Sequence, residues 1–354
     1  MFLPSAVPKI DLPCSLAIDL LYQAGVVSCE QFEGQPDVHI WHAQAHGNIQ
    51  VLKSLTASLG CQQSFKPESD ALKNLGIQAS CNGDDWDTGS DLALLFPYKN
   101  KQQTLFYMAK AMQRLKTGGR IIMACANIHG AKSYQHALVS LTGHADAKSK
   151  SKCRIFSARK TSVYDENLAQ QWLQAGEMQQ LAGLDLYSQA GLFSWKQADM
   201  GSQLLLSHLP KLAGEGMDLC CGYGLLSVYI FQHSPNIQSL QLVDAEWQAL
   251  RCAQKNTEAW INQCVYHCLD ATHDALPNRL DWVVCNPPFH TGQTREVGLG
   301  QEIVAKGCQS LKRGGEIWMV ANRQLPYEHI LGQHLREHHT IIEADGFKII
   351  HGVR

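Results

Sequence analysis

The second half of the chain alternates short apolar runs with longer stretches of mixed polarity. The apolar runs lie at residues 217–219, 237–243, 263–269 and Leu280–Cys285. Strand-length runs separated by helix-length segments are typical of parallel βαβ units. This half therefore predicts a doubly wound α/β sheet, with helices at residues 245–260 and 302–311.

The end of the chain predicts one more strand and an antiparallel hairpin. Gly314-Gly315 interrupts the chain before the apolar run 317–320, and residues 340–344 and 348–353 flank Asp345-Gly346. An Asp-Gly pair between two strand-like segments favours a tight hairpin turn. We therefore expect the sheet to close with a hairpin.

The first half repeats part of this pattern. Residues 91–98 parallel 281–288, and residues 115–123 parallel 311–319 at nearly the same offset. Such spacing predicts two copies of one α/β fold. The first copy has Phe96-Pro97-Tyr98 where the second has Asn286-Pro287-Pro288, and it has no matching glycine turn, so we interpret it as degenerate. The alternative is that two unrelated α/β domains share the same order of strand, helix, Gly-Gly pair and strand.

Four successive predicted strands of the second half end in polar side chains. These are Asp218, Asp244, Asp270 and Asn286. Ligands of open α/β sheets bind outside the carboxyl ends of the strands, so the four side chains would line one crevice. An acid at the tip of the second strand is where such sites hold a ribose diol, and Asp270 could bind an adenine amine. Each Asp taken singly is more often a cap or turn residue.

A glycine-bearing turn follows the first of these strands. Asp218 is followed by Cys220, Gly222 and Gly224 before a helical segment begins. Glycines let the backbone approach a ligand closely, and a helix N-terminus favours negative charge such as a carboxylate. The turn alone is equally consistent with a plain strand-to-helix connection.

The most specific motif is Asn286-Pro287-Pro288-Phe289, which directly follows the run Leu280–Cys285. An amine on a heteroaromatic ring is a weak nucleophile that must be oriented. The Asn286 side chain and the Pro287 carbonyl can accept its N–H groups, and Phe289 can stack on the ring. The motif therefore indicates methylation of an amino group. The alternative is a simple strand-ending turn. His290 could take a proton or contact phosphate, although a loop histidine is more often only solvated.

The whole chain balances 30 basic against 32 acidic side chains, but one segment is locally basic. Its six basic residues are Lys148, Lys150, Lys152, Arg154, Arg159 and Lys160. A basic patch on a neutral protein predicts a docking surface for RNA phosphates. The alternative is an ordinary solvated loop or strand edge.

Other bulk features place the chain among intracellular globular proteins. No apolar run reaches the roughly 18 residues of a membrane span, and residues 1–14 lack the features of a signal peptide. Thirteen cysteines without CxxC pairs do not predict disulfides. Cys264, His267 and Cys268 provide too few ligands for a closed zinc site, so we expect no metal. The expected location is the cytoplasm.

Taken together, these motifs resemble a known family. The matching segments are Gly191-Leu192-Phe193-Ser194, residues 199–206, 286–290, 320–322 and 325–327. They resemble the class I methyltransferases that use S-adenosylmethionine, in particular the small-domain group that modifies guanine N2 in ribosomal RNA. The branch acting on 16S rRNA is the nearest, and the large-subunit branch shares the architecture. Cys220 departs from the family's first glycine, so a turn with positive φ would be strained there, and cofactor affinity is the property that this departure would affect.

The resemblance implies a fold and a division of the chain. The fold is α/β, with two tandem Rossmann-like class I methyltransferase domains, the N-terminal one degenerate. Residues 1–160 would form the degenerate domain that positions RNA, 161–190 a linker, and 191–354 the catalytic domain. The implied partner is ribosomal RNA or the small ribosomal subunit, and we expect a monomer.

The resemblance also assigns roles residue by residue, with S-adenosylmethionine as the cofactor. Asp218, Gly222 and Gly224 would hold its methionine portion, Asp244 the ribose and Asp270 the adenine. Asp199 and Gly201 would close over it. Asn286, Pro287 and Phe289 would hold the guanine.

Three other functions remain open from the sequence. They are 23S rRNA guanine-N2 methylation, glutamine methylation of a release factor, and a non-catalytic RNA-binding scaffold. A glutamine amide also fits an Asn-Pro-Pro motif, but that family usually has Tyr after the prolines and a helical first domain. The scaffold is suggested by Cys220 and the degenerate first half, whereas intact Asp244, Asn286 and Phe289 argue against it.

Overall fold

The computed structural model describes residues 12–86, 89–288 and 294–354. The chain divides into two compact units, whose boundary in the sequence lies between Glu177 and Met178. Residues 161–190, predicted as a linker, contribute regular structure to both units. The helix at Glu166–Gly176 belongs to the first unit, where Ala169 and Leu173 join its core.

Within its described residues, the first unit is a seven-stranded sheet flanked by helices. Its elements are α1 Leu12–Cys29, β1 Asp37–Trp41, α2 Asn48–Leu55, β2 Ser58–Gln62, α3 Lys66–Asn74, β3 Ala79–Ser80, β4 Ser90–Leu95, α4 Lys101–Arg114, β5 Leu115–Ala126, α5 Ala131–Thr142, β6 Asp146–Lys150, β7 Cys153–Arg159 and α6 Glu166–Gly176. The strand order is β3-β2-β1-β4-β5-β7-β6, in which β7 alone runs antiparallel to both of its neighbours.

The second unit has a sheet of the same kind, also of seven strands in its described part. Its elements are β8 Gln179–Gln180, β9 Tyr187–Ser188, α7 Met200–His208, β10 Ala213–Leu219, α8 Leu225–His233, β11 Asn236–Asp244, α9 Trp247–Asn256, β12 Cys264–Cys268, β13 Leu280–Cys285, α10 Thr294–Ser310, β14 Leu311–Asn322, α11 Glu328–His334, β15 Glu337–Ala344 and β16 Phe347–Val353. The order β12-β11-β10-β13-β14-β16-β15 repeats that of the first unit, and β8 pairs separately with β9.

The strand registers also repeat between the units. Ser90 pairs with Leu115, and the register then shifts so that Leu92 pairs with Arg120. Leu280 pairs with Leu311, and after the same shift Trp282 pairs with Glu316. Agreement in strand order, register and bulge confirms the predicted duplication of one Rossmann-like fold.

Both faces of the second sheet are covered, as parallel sheets require. Successive strand residues point to opposite faces. Val283 and Cys285 therefore pack in one core cluster, and Trp282 and Val284 in the other. All four are at most 3% exposed. Burying such a side chain contributes about 1.5–3 kcal/mol, so this strand is held firmly and fixes the position of Asn286, which follows it.

The predicted strands of the second unit and its closing hairpin are confirmed. Asp345 and Gly346 have φ of 52° and 83°, as the tight turn between β15 and β16 requires. The helix predicted at 245–260 is shorter. The Thr257 hydroxyl donates to the Ala253 carbonyl at 2.7 Å, its φ of −103° leaves the helical region, and a 3₁₀ turn follows. No helix in the described ranges is both long and apolar enough to cross a membrane.

Candidate active site

The carboxyl ends of four neighbouring strands lie level with one another in the second unit. Leu219 pairs with Val243 on one side and with Cys285 on the other. Asp244 pairs with Cys268 on the next strand. The residues that end or follow these strands therefore meet at one edge of the sheet, as the sequence predicted.

The glycine turn after β10 adopts the strained conformation expected of it. Cys220 has φ of 63°, and Gly222 and Gly224 have φ of 54° and 85°. A residue with a Cβ costs about 1–2 kcal/mol in this left-handed region. At Gly222, apart from its two chain neighbours, no atom of the described residues lies within 4 Å of the position that a Cβ would occupy. The backbone of the turn therefore faces open space, where a ligand can approach it.

Asp244 fixes this turn by hydrogen bonds. One of its carboxylate oxygens accepts from the Gly222 N–H at 2.8 Å, and the other accepts from the Glu246 N–H at 2.8 Å. Burial raises the pKa of Asp244 in spite of these bonds. The carboxylate, at the carboxyl end of β11, thus holds the glycine turn.

Asp218 is completely buried beneath the turn. One oxygen accepts from the Ser227 hydroxyl at 2.6 Å, and the other, Oδ1, has no partner in the described residues. Burial raises the pKa of Asp218 to about 7, and the nearby Asp244 adds to the shift. Two acids with raised pKa values, at the carboxyl ends of the neighbouring strands β10 and β11, favour the binding of a positively charged ligand group.

Asp270 is engaged within its own loop. Its Oδ1 accepts from the Thr272 hydroxyl at 2.6 Å, and its Oδ2 lies 3.0 Å from His273 Nδ1. Burial opposes ionisation, but the bonds from Thr272 and His273 outweigh it and lower the pKa of Asp270. The acid remains at the crevice edge as an ionised, rigidly held group.

Asn286 is oriented by two side chains of the segment that begins α7. Its Nδ2 donates to Asp199 Oδ2 at 3.0 Å and to the Ser202 hydroxyl at 2.8 Å. Both amide hydrogens are therefore used, which leaves Oδ1 as the only open polar atom of the side chain. This oxygen is buried and accepts from no donor in the described part of the chain.

Asp199 was predicted to close over a cofactor, and the structure gives its carboxylate a local role. It caps α7 by accepting from the Ser202 N–H at 2.8 Å, in addition to its bond with Asn286. Gly201 allows this close approach, because a Cβ there would lie 2.9 Å from Phe347 and 3.1 Å from Asp199 Oδ2. Sequence reasoning gave Ser202 no role. The available signal was the Asp-x-x-Ser spacing typical of a helix N-terminus.

The rest of the Asn-Pro-Pro motif is described only in part. Pro287 is buried and Pro288 is exposed. Phe289 and His290, to which the sequence assigned stacking and proton or phosphate contacts, lie outside the described residues. Within the described ranges no cluster of three or more potential metal ligands occurs.

The corresponding strand ends of the first unit have the same backbone geometry but lack the acidic side chain. Trp41 pairs with Leu95 as Leu219 pairs with Cys285, so Ile40 stands in the position of Asp218. The residue after the strand, His42, has φ of 57°, like its counterpart Cys220. The first unit therefore retains the turn but has an apolar side chain in place of the acid.

Aromatic side chains fill this part of the first unit. The His42 ring stacks on Tyr98 with 3.7 Å between ring centroids, and Phe96 occupies the position of Asn286. Tyr98 Oη donates to Gln62 Oε1 at 2.8 Å. Burial lowers the pKa of His42 to about 4, which keeps it neutral. The positions that correspond to Cys220 and Asn286 are thus occupied by rings in the first unit.

The six basic residues of the predicted RNA patch do not form one surface. Lys148 and Lys150 lie on the exposed strand β6, and Lys152 lies in the turn that follows, with φ of 61°. Lys148 pairs with Ile155, whereas Arg154 pairs with Ser149 and thus points to the opposite face. Neighbouring side chains of a strand point to alternate faces of the sheet. Counting charges along the sequence does not take this alternation into account.

The other three basic residues have partners inside the first unit. Arg154 donates to Gln135 Oε1 at 2.6 Å, and Arg159 donates to the Gly118 carbonyl at 3.0 Å. Lys160 donates to the Leu115 carbonyl at 2.7 Å, and burial lowers the pKa of Lys160. The three lysines of the hairpin are therefore the more accessible part of the patch.

Comparison with known proteins identifies relatives of this chain. The family model described as the methyltransferase small domain matches residues 183–351. A ribosomal RNA small subunit methyltransferase C of Escherichia coli O9:H4 (strain HS) is 30% identical over 268 residues, which cover 74% of this chain and 75% of that protein. The protein of the same name from Haemophilus influenzae (strain Rd) is 28% identical over 311 residues, with 84% and 93% covered.

One solved structure matches almost the whole chain. It is the T. thermophilus 16S rRNA N2 methyltransferase RsmC in complex with AdoMet and guanosine. The two structures superpose with a TM-score of 0.76, covering 99% of this chain and 94% of that one, at 20% sequence identity. At this identity the likeness shows the fold, and it confirms the pair of Rossmann-like domains.

Proposed function

The chain belongs to the ribosomal RNA small subunit methyltransferase C family, and from this premise we propose that it methylates the exocyclic N2 amine of a guanine in 16S rRNA. The methyl donor is S-adenosylmethionine, and the partner is ribosomal RNA or the small ribosomal subunit. We expect the protein to act as a monomer in the cytoplasm.

The observation that best supports this proposal is the hydrogen bonding of the Asn286 side chain. Its amide donors are held by Asp199 and Ser202, and its Oδ1 is buried without a partner. A buried acceptor left unpaired costs roughly 1–3 kcal/mol, and an incoming N–H would recover that cost. An exocyclic amine provides such a donor. Asp199 and Ser202 are then positioning residues, because they act on the substrate through Asn286.

Methylation of the guanine amine depends mainly on how the enzyme orients its nitrogen. Its lone pair is delocalised into the ring, so the enzyme must aim the nitrogen at the methyl group. We propose that Asn286 Oδ1 and the Pro287 carbonyl accept its two N–H groups and that Phe289 stacks on the base. The nitrogen becomes acidic as the new C–N bond forms, so its proton can leave late without a strong general base.

The crevice beside Asn286 fits the proposed cofactor. S-adenosylmethionine, when bound, supplies an electrophilic methyl group on a sulfonium. Asp218 offers an unpaired buried oxygen to its ammonium, and the open backbone at Gly222 suits its carboxylate. We propose that Asp244 binds the ribose and Asp270 the adenine. Asp199 and Gly201 form the wall next to Asn286.

The experiment that tests the proposal is transfer of labelled methyl groups. The wild-type protein is incubated with labelled S-adenosylmethionine and, separately, with small ribosomal subunits, naked 16S rRNA, naked 23S rRNA and release factor, all lacking the modification. We expect N2-methylguanosine in small-subunit RNA on nucleoside analysis. Label in 23S rRNA or in release factor alone, or in none of the substrates, would replace the proposal with the corresponding alternative.

The strained residue of the glycine turn gives a separate prediction. Cys220→Ala keeps a Cβ at φ of 63°, whereas Cys220→Gly removes it. We expect the glycine variant to exceed the alanine variant by about 1 kcal/mol in free energy of unfolding and to bind S-adenosylmethionine more tightly. Denaturant unfolding and titration calorimetry measure both quantities. Equal values for the two variants would show that the turn stores no strain.

The filled crevice of the first unit predicts the stoichiometry of binding. Ile40 replaces the acid at the strand tip, and His42 and Tyr98 stack where the cofactor would lie. We therefore expect calorimetric titration to give one S-adenosylmethionine per chain. Asp218→Ala should abolish this single binding event. A residual site in that variant would contradict our interpretation of the first unit as degenerate.

A further inference from the structure

The first unit contains a cavity of about 530 Å³ at the amino end of its parallel strands. The aromatic residues His42 and Tyr98 lie at the opposite, carboxyl end of the same strands. It forms where α1 ends at Cys29 and the chain returns through residues 30–36 to β1. Its lining includes Gln31, Phe32, Glu33, Leu92, Arg120 and Arg159. Its volume lies within the roughly 300–1,000 Å³ of ligand pockets.

Two arginines stand side by side in this cavity. Arg120 on β5 pairs directly with Arg159 on β7, so both side chains lie on the same face of the sheet. Like charges directly opposite each other in antiparallel strands are destabilising. Arg159 donates to the Gly118 carbonyl, whereas the partly buried Arg120 guanidinium has no acceptor within the described ranges. An anion between the two would relieve the repulsion.

The acids of the cavity do not neutralise this pair. Asp91 accepts from the Asp37 N–H at 2.9 Å and from Lys116 at 3.0 Å. Glu33 is exposed on the loop after α1. The last carbonyls of α1 are also occupied, since Val26 and Ser28 accept from the N–H groups of Glu30 and Gln31. None of these groups is bonded to Arg120.

The second unit provides an internal comparison. At the equivalent register positions it has Glu316 in place of Arg120 and Val353 in place of Arg159. Trp282, which replaces Leu92, places its larger ring against Gly216 and donates from Nε1 to the Ala213 carbonyl at 3.0 Å. The cationic cavity is therefore a feature of the first copy and does not follow from the fold.

Phe32 gives the cavity an aromatic surface. Its side chain remains 40% exposed although it lines the cavity, and Gln31 lies beside it in the sequence. Bases of single strands stack on exposed aromatic rings, and phosphates bind arginine pairs. We propose that this cavity binds one nucleotide of an RNA strand, with the phosphate between Arg120 and Arg159 and the base on Phe32. The choice of RNA rests on the proposed function.

The test measures RNA binding separately from methyl transfer. A fluorescein-labelled single-stranded oligoribonucleotide is titrated with the full chain, and fluorescence anisotropy is followed at several salt concentrations. We expect Arg120→Gln with Arg159→Gln to weaken binding about tenfold and to reduce the salt slope by about one, as loss of one phosphate contact requires. Phe32→Ala should weaken binding about tenfold without changing the slope. Glu33→Gln should tighten it.

Arg313→Gln is the matched control, because it removes an exposed charge near the start of β14 in the second unit and should leave binding unchanged. Cofactor binding and thermal unfolding establish that each variant is folded. If the double arginine variant and Phe32→Ala bind the oligoribonucleotide as tightly as wild type, the cavity is not a nucleotide site. This result would stand whether or not the protein methylates 16S rRNA. Conversely, RNA bound through the cavity without methyl transfer would overturn only the proposed reaction.

Discussion

Replacing Asn286 with alanine is expected to lower the rate of methyl transfer at saturating substrates by at least about a hundredfold. The variant removes the buried Oδ1 acceptor and leaves the guanine amine without its main orienting contact. Misplacement of a reacting atom by about 1 Å can cost about a hundredfold in rate. Affinity for S-adenosylmethionine should change little, because the groups proposed to hold it lie on Asp218, Asp244 and the glycine turn. Single-turnover transfer of labelled methyl to small subunits measures the effect.

Variants of the supporting residues separate orientation from contact. Ser202→Ala removes one of the two acceptors that fix the Asn286 amide, so we expect an intermediate loss of rate with unchanged affinity for the cofactor. Asn286→Asp should also be inactive near neutral pH, because it faces the Asp199 carboxylate with a second negative charge. Asn236→Ala, at an exposed position at the start of β11, should behave as wild type.

Two results would contradict the role of Asn286 in holding the guanine amine. If Asn286→Ala transfers methyl groups at the wild-type rate, the unpaired oxygen does not hold the target amine. A loss of rate that is matched by an equal loss of cofactor affinity would instead place Asn286 among the cofactor-binding residues.

Much of this architecture could be predicted from the sequence because it depends on local patterns. Apolar runs identified β11, β12 and β13, and the residues that follow them mark their carboxyl ends. The family pattern, with a glycine in place of Cys220, indicated strain, and the φ of 63° agrees with it. Repeated spacing revealed the duplication, since both copies keep the same register and bulge.

The contacts that could not be predicted join distant parts of the chain or depend on strand pairing. The bond between Asp199 and Asn286 spans 87 residues, so no local pattern reveals it. The basic segment 148–160 was predicted as one patch from composition, but strand alternation sends Arg154 to the opposite face from Lys148. Arg120 meets Arg159 only because β5 pairs with β7, and no local sequence pattern predicts that pairing or the cavity beside it.

Binding of S-adenosylmethionine is expected to weaken steeply as the pH falls below about 7. Burial raises the pKa of Asp218 to about 7, and only its ionised form can pair with the ammonium of the cofactor. The dissociation constant should therefore increase about tenfold for each pH unit below 7. Above that pH it should be nearly constant until the ammonium itself loses its proton. Calorimetry in buffers of different ionisation enthalpy should also detect proton release on binding at pH 6.

The same shift has the opposite effect on the protein without cofactor. In the unfolded chain an Asp has a pKa of about 3.9, so the folded state binds this proton more tightly. The free energy of unfolding should thus decrease as the pH rises from about 4 to about 7, where the buried carboxylate ionises. The cofactor reverses this trend by neutralising the charge, so thermal stabilisation by S-adenosylmethionine should be largest above pH 7.

Asp218→Asn isolates the carboxylate from these effects. The amide has nearly the same shape and cannot ionise, so the variant should bind S-adenosylmethionine at least about tenfold more weakly at pH 8. Its affinity should no longer vary between pH 6 and 8. Asp281→Asn is the matched control, because that acid pairs with Lys312 at the other end of the sheet. If the wild-type dissociation constant does not change with pH, or if Asp218→Asn retains the same pH dependence, another group holds the ammonium. The unpaired oxygen of Asp218 then serves only the folded core.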